Sequence, residues 1–172
     1  SEPRAEAASA SSGRRICLQR HDASRLHYDF RLELNGVLKS WAVPKGPSLK
    51  PGEKRLAVPT EDHPLSYLTW EGTLPAGQYG GGVVMVFDLG DWEPLEDRDP
   101  EQSLSQGELK IRLWGQKLQD DWTMVRTKKN SWLWLKKHDA WVDDDWSPEE
   151  HLWSAVSGRS FGEVERGLGA PA

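Results

Sequence analysis

The feature that most constrains the fold is a period of two in the apolar residues of the N-terminal half. In the segment 28–34 every second residue is Tyr, Phe or Leu, and the residues between them are polar. This alternation is typical of a β-strand with one buried face. The dipeptide Asn35-Gly36 follows directly, and such a pair favours the type I′ turn of a two-residue hairpin. The sequence therefore predicts antiparallel β-structure here.

Further strands are predicted where the alternation returns between glycine and proline residues, at 16–18, 37–43, 55–58, 83–88, 108–114, 122–127 and 131–137. Seven or eight short strands in a chain of 172 residues favour a mainly β fold, a compact closed or nearly closed β-barrel with a few short helices. We expect most of the ten tryptophans to pack within it.

Two short helices and a disordered arm complete the predicted organisation. One helix is predicted at 99–107 and the other at 147–157, where Ser147 is a candidate N-cap and Glu150 would complete a capping box. Residues 1–13 are rich in Ser and Ala without apolar periodicity, so we expect disorder there. Residues 14–172 are predicted to form a single domain.

Charge is distributed unevenly along the chain. Residues 14–58 hold ten Lys and Arg against four Asp and Glu, although the whole chain has a net charge of −5. A local cationic surface suits capture of an anionic end better than wrapping of a long duplex. No apolar run approaches the ~20 residues of a membrane helix, and a single cysteine, Cys17, excludes a disulfide framework. We expect a cytoplasmic protein without a membrane partner.

Side chains able to bind a metal and an anion share one face of a single predicted strand. Residues two apart on a strand project to the same side, so His27, Asp29 and Arg31 lie together, away from the core. Imidazole and carboxylate hold divalent cations, and a guanidinium beside them can bind an oxyanion. His21 precedes them across a segment that can turn back, and His63 adds a third ring.

Several other chemistries lack their required residues. The glycines at 80–82 are not followed by the Lys-Ser/Thr pair of a phosphate-binding loop, and no Gly-x-Ser-x-Gly nucleophile motif occurs. An iron oxygenase stays open, because His27-Tyr28-Asp29 has the His-x-Asp pattern of a ferrous site. The surrounding cations favour phosphate instead: Arg25, Arg31, Lys45, Lys54 and Arg55. His138 and His151 are predicted to be surface residues.

Three longer stretches, HDASRLHYDFRLELNGVLKSWAVPKGPS, KRLAVPTEDHPLSY and EGTLPAGQYGGG, resemble the 3′-phosphoesterase domain of bacterial DNA ligase D, fused or stand-alone. The resemblance runs from about Arg14 to Trp92 and continues more loosely to residue 140. It implies a β-barrel, Mn²⁺-dependent enzyme of nonhomologous end joining, with other divalent transition metals as alternatives. Two activities are implied: removal of a 3′-terminal ribonucleoside, and conversion of a 3′-phosphate to a 3′-hydroxyl.

The resemblance also implies partners and residue roles. The partners are DNA primer-template 3′ ends, carrying a 3′-phosphate or a terminal ribonucleotide, and the ligase and polymerase domains of the same pathway. The place of action is the bacterial cytoplasm, at the nucleoid. By motif position the metal ligands are His21, His27 and Asp29, the catalytic residues around the phosphate are Arg31, His63 and Tyr67, and the supporting residues are Gln19, Lys45, Arg55 and Glu61.

One part of the family pattern is missing. In the family an N-terminal arm contributes acidic and basic residues to the active site, whereas the corresponding segment here, SEPRAEAASASSGRR, lacks that pattern. No arm residues are therefore assigned. An alternative from another functional class is a catalytically inactive module that binds 3′ ends.

Overall fold

The computed structural model describes residues 13–75, 81–128 and 130–167. Most of the predicted arm lies outside these ranges, so its disorder stays a prediction. The described strands are β1 (Arg15–Asp22), β2 (Leu26–Leu34), β3 (Val37–Val43), β4 (Arg55–His63), β5 (Gly72–Leu74), β6 (Gly82–Pro94), β7 (Glu108–Trp114), β8 (Gln119–Lys128) and β9 (Ser131–Lys136). The helices are α1 (Pro100–Gln106) and α2 (Phe161–Arg166), with 3₁₀ turns at Leu65–Thr69 and Pro148–Glu150.

Eight of these strands close into an antiparallel barrel in the order β1-β2-β3-β4-β9-β8-β7-β6, and β6 pairs again with β1. The short strand β5 is an additional neighbour of β6. The predicted mainly β barrel with a few short helices is therefore confirmed. Closure removes the exposed strand edges that an open sheet would present. No helix in the described ranges is long and apolar enough to cross a bilayer.

The hairpin between β2 and β3 has the predicted two-residue turn. Asn35 and Gly36 both have positive φ, 53° and 85°, as a type I′ turn requires. This turn fixes the register of the two strands, so that Arg31 lies opposite Ser40 and Asp29 opposite Ala42.

The apolar faces of the strands form one hydrophobic core, as the alternation predicts. Tyr28, Phe30 and Leu32 from β2 are almost fully buried in it. Aromatic rings make up much of the contact: Phe30 stacks on Trp134 with ring centroids 4.3 Å apart, and Trp122 lies 5.1 Å from Trp134. Burying one face of β2 leaves its other face for polar side chains.

The prediction of a helix at 147–157 is wrong. Only Pro148–Glu150 forms a short 3₁₀ turn, and the predicted cap, Ser147, makes no side-chain capping bond. The Glu149 carboxylate instead accepts hydrogen bonds from the Arg20 guanidinium at 2.6 and 2.8 Å and from the Tyr28 hydroxyl at 2.5 Å. These long-range contacts fix the segment against the barrel, so tertiary structure overrides the local helix signal.

A C-terminal helix does occur, but later in the chain. It is α2, where Ser160 and Glu163 form a reciprocal capping box. The other predicted helix is confirmed as α1, whose N-cap side chain, Asp99, accepts from the Glu101 amide. The short strand β5 and the 3₁₀ turn at Leu65–Thr69 were not expected from the sequence.

Candidate metal and phosphate site

A cavity of about 320 Å³ lies on the face of strands β1 to β4 that is turned away from the core. We call it the central pocket. Its polar wall comes from β1, β2 and β4, and its other wall is completed by Tyr67, Trp70, Leu74 and Val84.

The three predicted metal ligands converge in the pocket. His21 on β1 lies directly opposite His27 on β2 in the strand register, and Asp29 follows two residues later on the same face. Asp29 Oδ2 is 3.2 Å from His27 Nε2 and 3.8 Å from His21 Nδ1. One potential ligand atom from each residue lies within 4.8 Å of the others, close enough for one cation to be bound by all three.

Backbone carbonyls orient both imidazoles towards Asp29. His21 Nε2 is 2.6 Å from the Gly81 carbonyl oxygen, and His27 Nδ1 is 3.1 Å from that of Arg25. A carbonyl oxygen only accepts hydrogen bonds, so these two nitrogens carry the protons. The opposite nitrogens face Asp29. A proton on His27 Nε2 donates to Asp29 Oδ2 at 3.2 Å, and a metal ion that displaced this proton would meet the nitrogen that a metal-binding histidine presents.

The Asp29 carboxylate is ionised at neutral pH. Burial alone would raise the pKa of Asp29, but the hydrogen bond with His27 and the charge of Arg31 outweigh it, so the pKa lies below its ordinary value. The same hydrogen bond raises the pKa of His27 against the opposing effect of burial. A proton on His27 therefore competes with a metal ion for the site.

Arg31 is held between the predicted metal ligands and His63. Its Nε donates to Gln19 Oε1 at 2.7 Å and its Nη1 donates to Ser40 Oγ at 2.9 Å, while Nη2 is 3.7 Å from Asp29 Oδ2. Nη1 also lies 3.2 Å from His63 Nδ1. Bonds in several directions fix the plane of this buried guanidinium, which suits it to bidentate binding of an oxyanion.

A β-bulge turns His63 into the pocket. Ala57, earlier on β4, faces the core, and strict alternation would place His63 on that same side. The pairing of β3 with β4 shifts register between Leu38 and Ser40, so β4 holds an extra residue there. His63 consequently faces Arg31, with its ring 4.7 Å from that of Tyr67.

The protonation of His63 is a testable consequence of this placement. Burial and the neighbouring charge of Arg31 lower the pKa of His63 below 6.5, so the ring is neutral at pH 7. We expect an NMR titration to show a midpoint below 6.5 and Arg31→Met to raise it. Arg112→Met, which changes a guanidinium bonded to Asp121, should leave it unchanged. A His63 midpoint above 6.5 in the unaltered protein would contradict the assignment.

The structure brings together all but two of the predicted site residues. Gln19, Glu61 and Tyr67 line the central pocket with the predicted metal ligands, Arg31 and His63. Lys45 and Arg55 do not line it. Lys45 is exposed after β3, and Arg55 pairs with Glu53 at 3.4 Å near the start of β4, on the side of β4 that faces the core. Their positions therefore do not support the roles predicted for these two residues.

Two residues of the site were missed although the sequence contains a signal for them: Ala42 lines the pocket, and Ser40 bonds Arg31. Because Asn35-Gly36 fixes a two-residue hairpin, Ser40 must lie opposite Arg31 and Ala42 opposite Asp29.

Of the two histidines assigned to the surface, His138 is exposed. His151 is half-buried and its ring stacks on Trp146 at 5.4 Å, so that prediction was only partly right.

Comparison with known proteins identifies the family. Residues 19–126 match the model of the DNA ligase D 3′-phosphoesterase domain. The chain belongs to this family. The matched segment includes the predicted metal ligands, Arg31 and the other residues that line the central pocket.

Three curated relatives are multifunctional nonhomologous end joining LigD proteins. The protein from Pseudomonas aeruginosa is 55% identical over 129 residues, covering 73% of this chain. The proteins from Mycolicibacterium smegmatis and Mycobacterium tuberculosis are 43% and 41% identical over 123 and 121 residues, 69% and 70% of this chain. The alignments span only 15–16% of the length of these relatives.

Proposed function

We propose that this domain is a divalent-metal-dependent phosphoesterase acting on DNA 3′ ends. It would release phosphate from a 3′-phosphate and remove a 3′-terminal ribonucleoside, leaving a 3′-hydroxyl. The observation that carries the proposal is the arrangement of the central pocket. His21, His27 and Asp29 present metal-ligating atoms on one side, and the Arg31 guanidinium lies beside them with a fixed plane.

The chemistry of the ligand set fits the metal that the family resemblance implies. Two imidazole nitrogens and one carboxylate suit Mn²⁺ and other divalent transition metals. Backbone carbonyls hold a proton on the outer nitrogen of each imidazole, and the carboxylate between the rings is held ionised; both support this fit. A bound divalent ion supplies a Lewis acid that polarises a phosphoryl oxygen.

The remaining pocket residues have roles suited to their positions. Arg31 would bind two oxygens of the terminal phosphate, since Gln19 and Ser40 hold its plane. His63 would donate a proton or hydrogen bond to the departing oxygen from its protonated form, which the negative charge of a bound phosphate favours. Tyr67 would donate a hydrogen bond from its hydroxyl to the phosphate. The Glu61 carbonyl oxygen lies 2.9 Å from His63 Nδ1 and would position the His63 ring.

We also propose that the domain acts in nonhomologous end joining, in the cytoplasm, beside ligase and polymerase domains. The names of its relatives support the role in end joining. A DNA polymerase or ligase needs a 3′-hydroxyl, so an activity that restores this group belongs before extension and sealing. The substrates would be primer-template ends with a 3′-phosphate or one terminal ribonucleotide.

The experiment is an end-conversion assay. Two labelled primer-templates, one ending in a 3′-phosphate and one in a single ribonucleotide, are incubated with the protein and Mn²⁺, with and without a chelator. We expect conversion of both to 3′-hydroxyl ends only without chelator. Primer binding with no conversion of either end would instead indicate an inactive end-binding module.

A second candidate, a ferrous oxygenase, has one specific observation in its favour. Two histidines and one carboxylate also form the donor set of non-haem iron oxygenases. The presence of Arg31 and His63 in the same pocket and the family relationship favour the phosphoesterase. Oxygen consumption is measured with ferrous iron and a 2-oxo acid; we expect none, and metal-dependent consumption would overturn the proposal.

A further inference from the structure

Trp70 lies between the central pocket and a second cavity. It follows the 3₁₀ turn at Leu65–Thr69 and is half-buried. Within the described residues it belongs neither to the hydrophobic core nor to the side chains packed against it. It lines the central pocket and also a cavity of about 490 Å³, which we call the side groove. The side groove is also lined by Ser66, Thr69, Glu71, Ser157 and Arg159.

Hydrogen bonds fix the backbone at Trp70 and the residue that follows it. Its carbonyl oxygen accepts a hydrogen bond from Gln19 Nε2 at 2.9 Å. The next residue, Glu71, has a side chain only 5% exposed. Its carboxylate accepts from the Val86 amide, the Ser154 and Ser157 hydroxyls and the Arg159 guanidinium, at 2.9, 2.7, 2.7 and 3.2 Å. A half-buried ring on so constrained a backbone is a preorganised binding surface.

The ring of Tyr67 is near both Trp70 and Arg31, the residue proposed to bind the phosphate. The Tyr67 ring lies 5.5 Å from the Arg31 guanidinium carbon and 6.3 Å from the Trp70 ring, tilted by 34°. A nucleobase is joined to its 3′-phosphate through one sugar. A phosphate at Arg31 would therefore bring an attached base within reach of the wall that Trp70 forms.

We propose that Trp70 stacks on the base of the nucleotide whose 3′-oxygen carries the phosphate, with the side groove accommodating that nucleotide. This inference rests on the proposed function and assigns a substrate contact to it. That nucleotide is the one shared by both proposed substrates, so a platform built into the pocket serves both reactions. Stacking tolerates any base, as the healing of DNA ends of varied sequence requires.

The test combines variants with a substrate that lacks the base. The 3′-phosphate is placed either on an ordinary terminal nucleotide or on an abasic one, and KM and kcat are measured for each. Trp70→Ala should raise KM for the ordinary end about 5- to 100-fold, with kcat changed only slightly. Trp70→Phe should retain most of the affinity. Trp114→Ala, which removes an exposed indole from β7, is the matched control and should leave KM unchanged.

The abasic end separates stacking from a structural role. The unaltered protein should bind it more weakly than the ordinary end, and Trp70→Ala should have no further effect on it. An equal rise of KM for both ends, or no rise for either, would overturn the inference while leaving the proposed function intact. Comparing the two ends in the unaltered protein suffices if Trp70→Ala does not fold, and equal KM values there overturn the inference. Absence of phosphate release from both ends would instead overturn the proposed function and the inference with it.

Discussion

Asp29→Asn is expected to abolish metal-dependent phosphate release, lowering kcat/KM by about a thousandfold, since metal catalysis contributes several kcal/mol. The amide keeps the shape of the side chain but removes the negative charge that His21, His27 and Arg31 surround. His27→Ala should have an effect of the same size, because it removes another of the three ligands. Initial rates of phosphate release with Mn²⁺ measure both.

The control for Asp29→Asn is Asp91→Asn, which alters a partly exposed carboxylate paired with Arg15 and should keep nearly normal activity. Thermal unfolding adds a readout independent of activity. Mn²⁺ at a hundred times its Kd should stabilise the unaltered protein by about 2.7 kcal/mol and stabilise Asp29→Asn much less. Near-normal rates in Asp29→Asn or His27→Ala, with metal still bound, would refute the ligand assignment.

Arg31→Lys should lower kcat by about 10²–10³-fold, the size expected when one preorganised donor to a developing charge is lost. Lysine keeps the charge but not the planar group that bonds Gln19 and Ser40 while presenting its remaining N–H groups to the pocket. Steady-state kinetics with the 3′-phosphate end measures the effect.

Arg112→Lys is the matched control for this change. It makes the same substitution in an arginine that bonds Asp121 at 2.7 Å on the barrel surface, and it should leave kcat unchanged. Stabilisation by Mn²⁺ should persist in Arg31→Lys, because the metal ligands are intact. A kcat within a fewfold of normal would show that the planar guanidinium has no special role.

The sequence predicted the barrel and the shared face of His27, Asp29 and Arg31 because both follow from strand periodicity. Alternation in β2 placed Tyr28 and Phe30 in the core and so turned Asp29 and Arg31 to the other face. The turn before His27 returned the chain so that His21 lies opposite it. These are local rules, and a single strand with its hairpins satisfies them.

The remainder depends on tertiary structure. His63 reaches the pocket because β4 contains an extra residue, and the alternation of apolar and polar residues does not predict that bulge. The predicted helix at 147–157 failed because Glu149 bonds to Arg20 and Tyr28, more than a hundred residues earlier. Trp70 was one tryptophan among ten in the sequence, and only the two cavities on either side of it distinguish it.

The central claim is that one divalent cation binds His21, His27 and Asp29 beside Arg31. It is tested most directly by anomalous diffraction at the manganese edge, from crystals grown with Mn²⁺ and inorganic phosphate. The account predicts one strong peak within about 2.0–2.3 Å of a nitrogen from each histidine and an Asp29 oxygen, with phosphate density against the Arg31 guanidinium. Manganese bound elsewhere, with no peak among these three side chains, would contradict it.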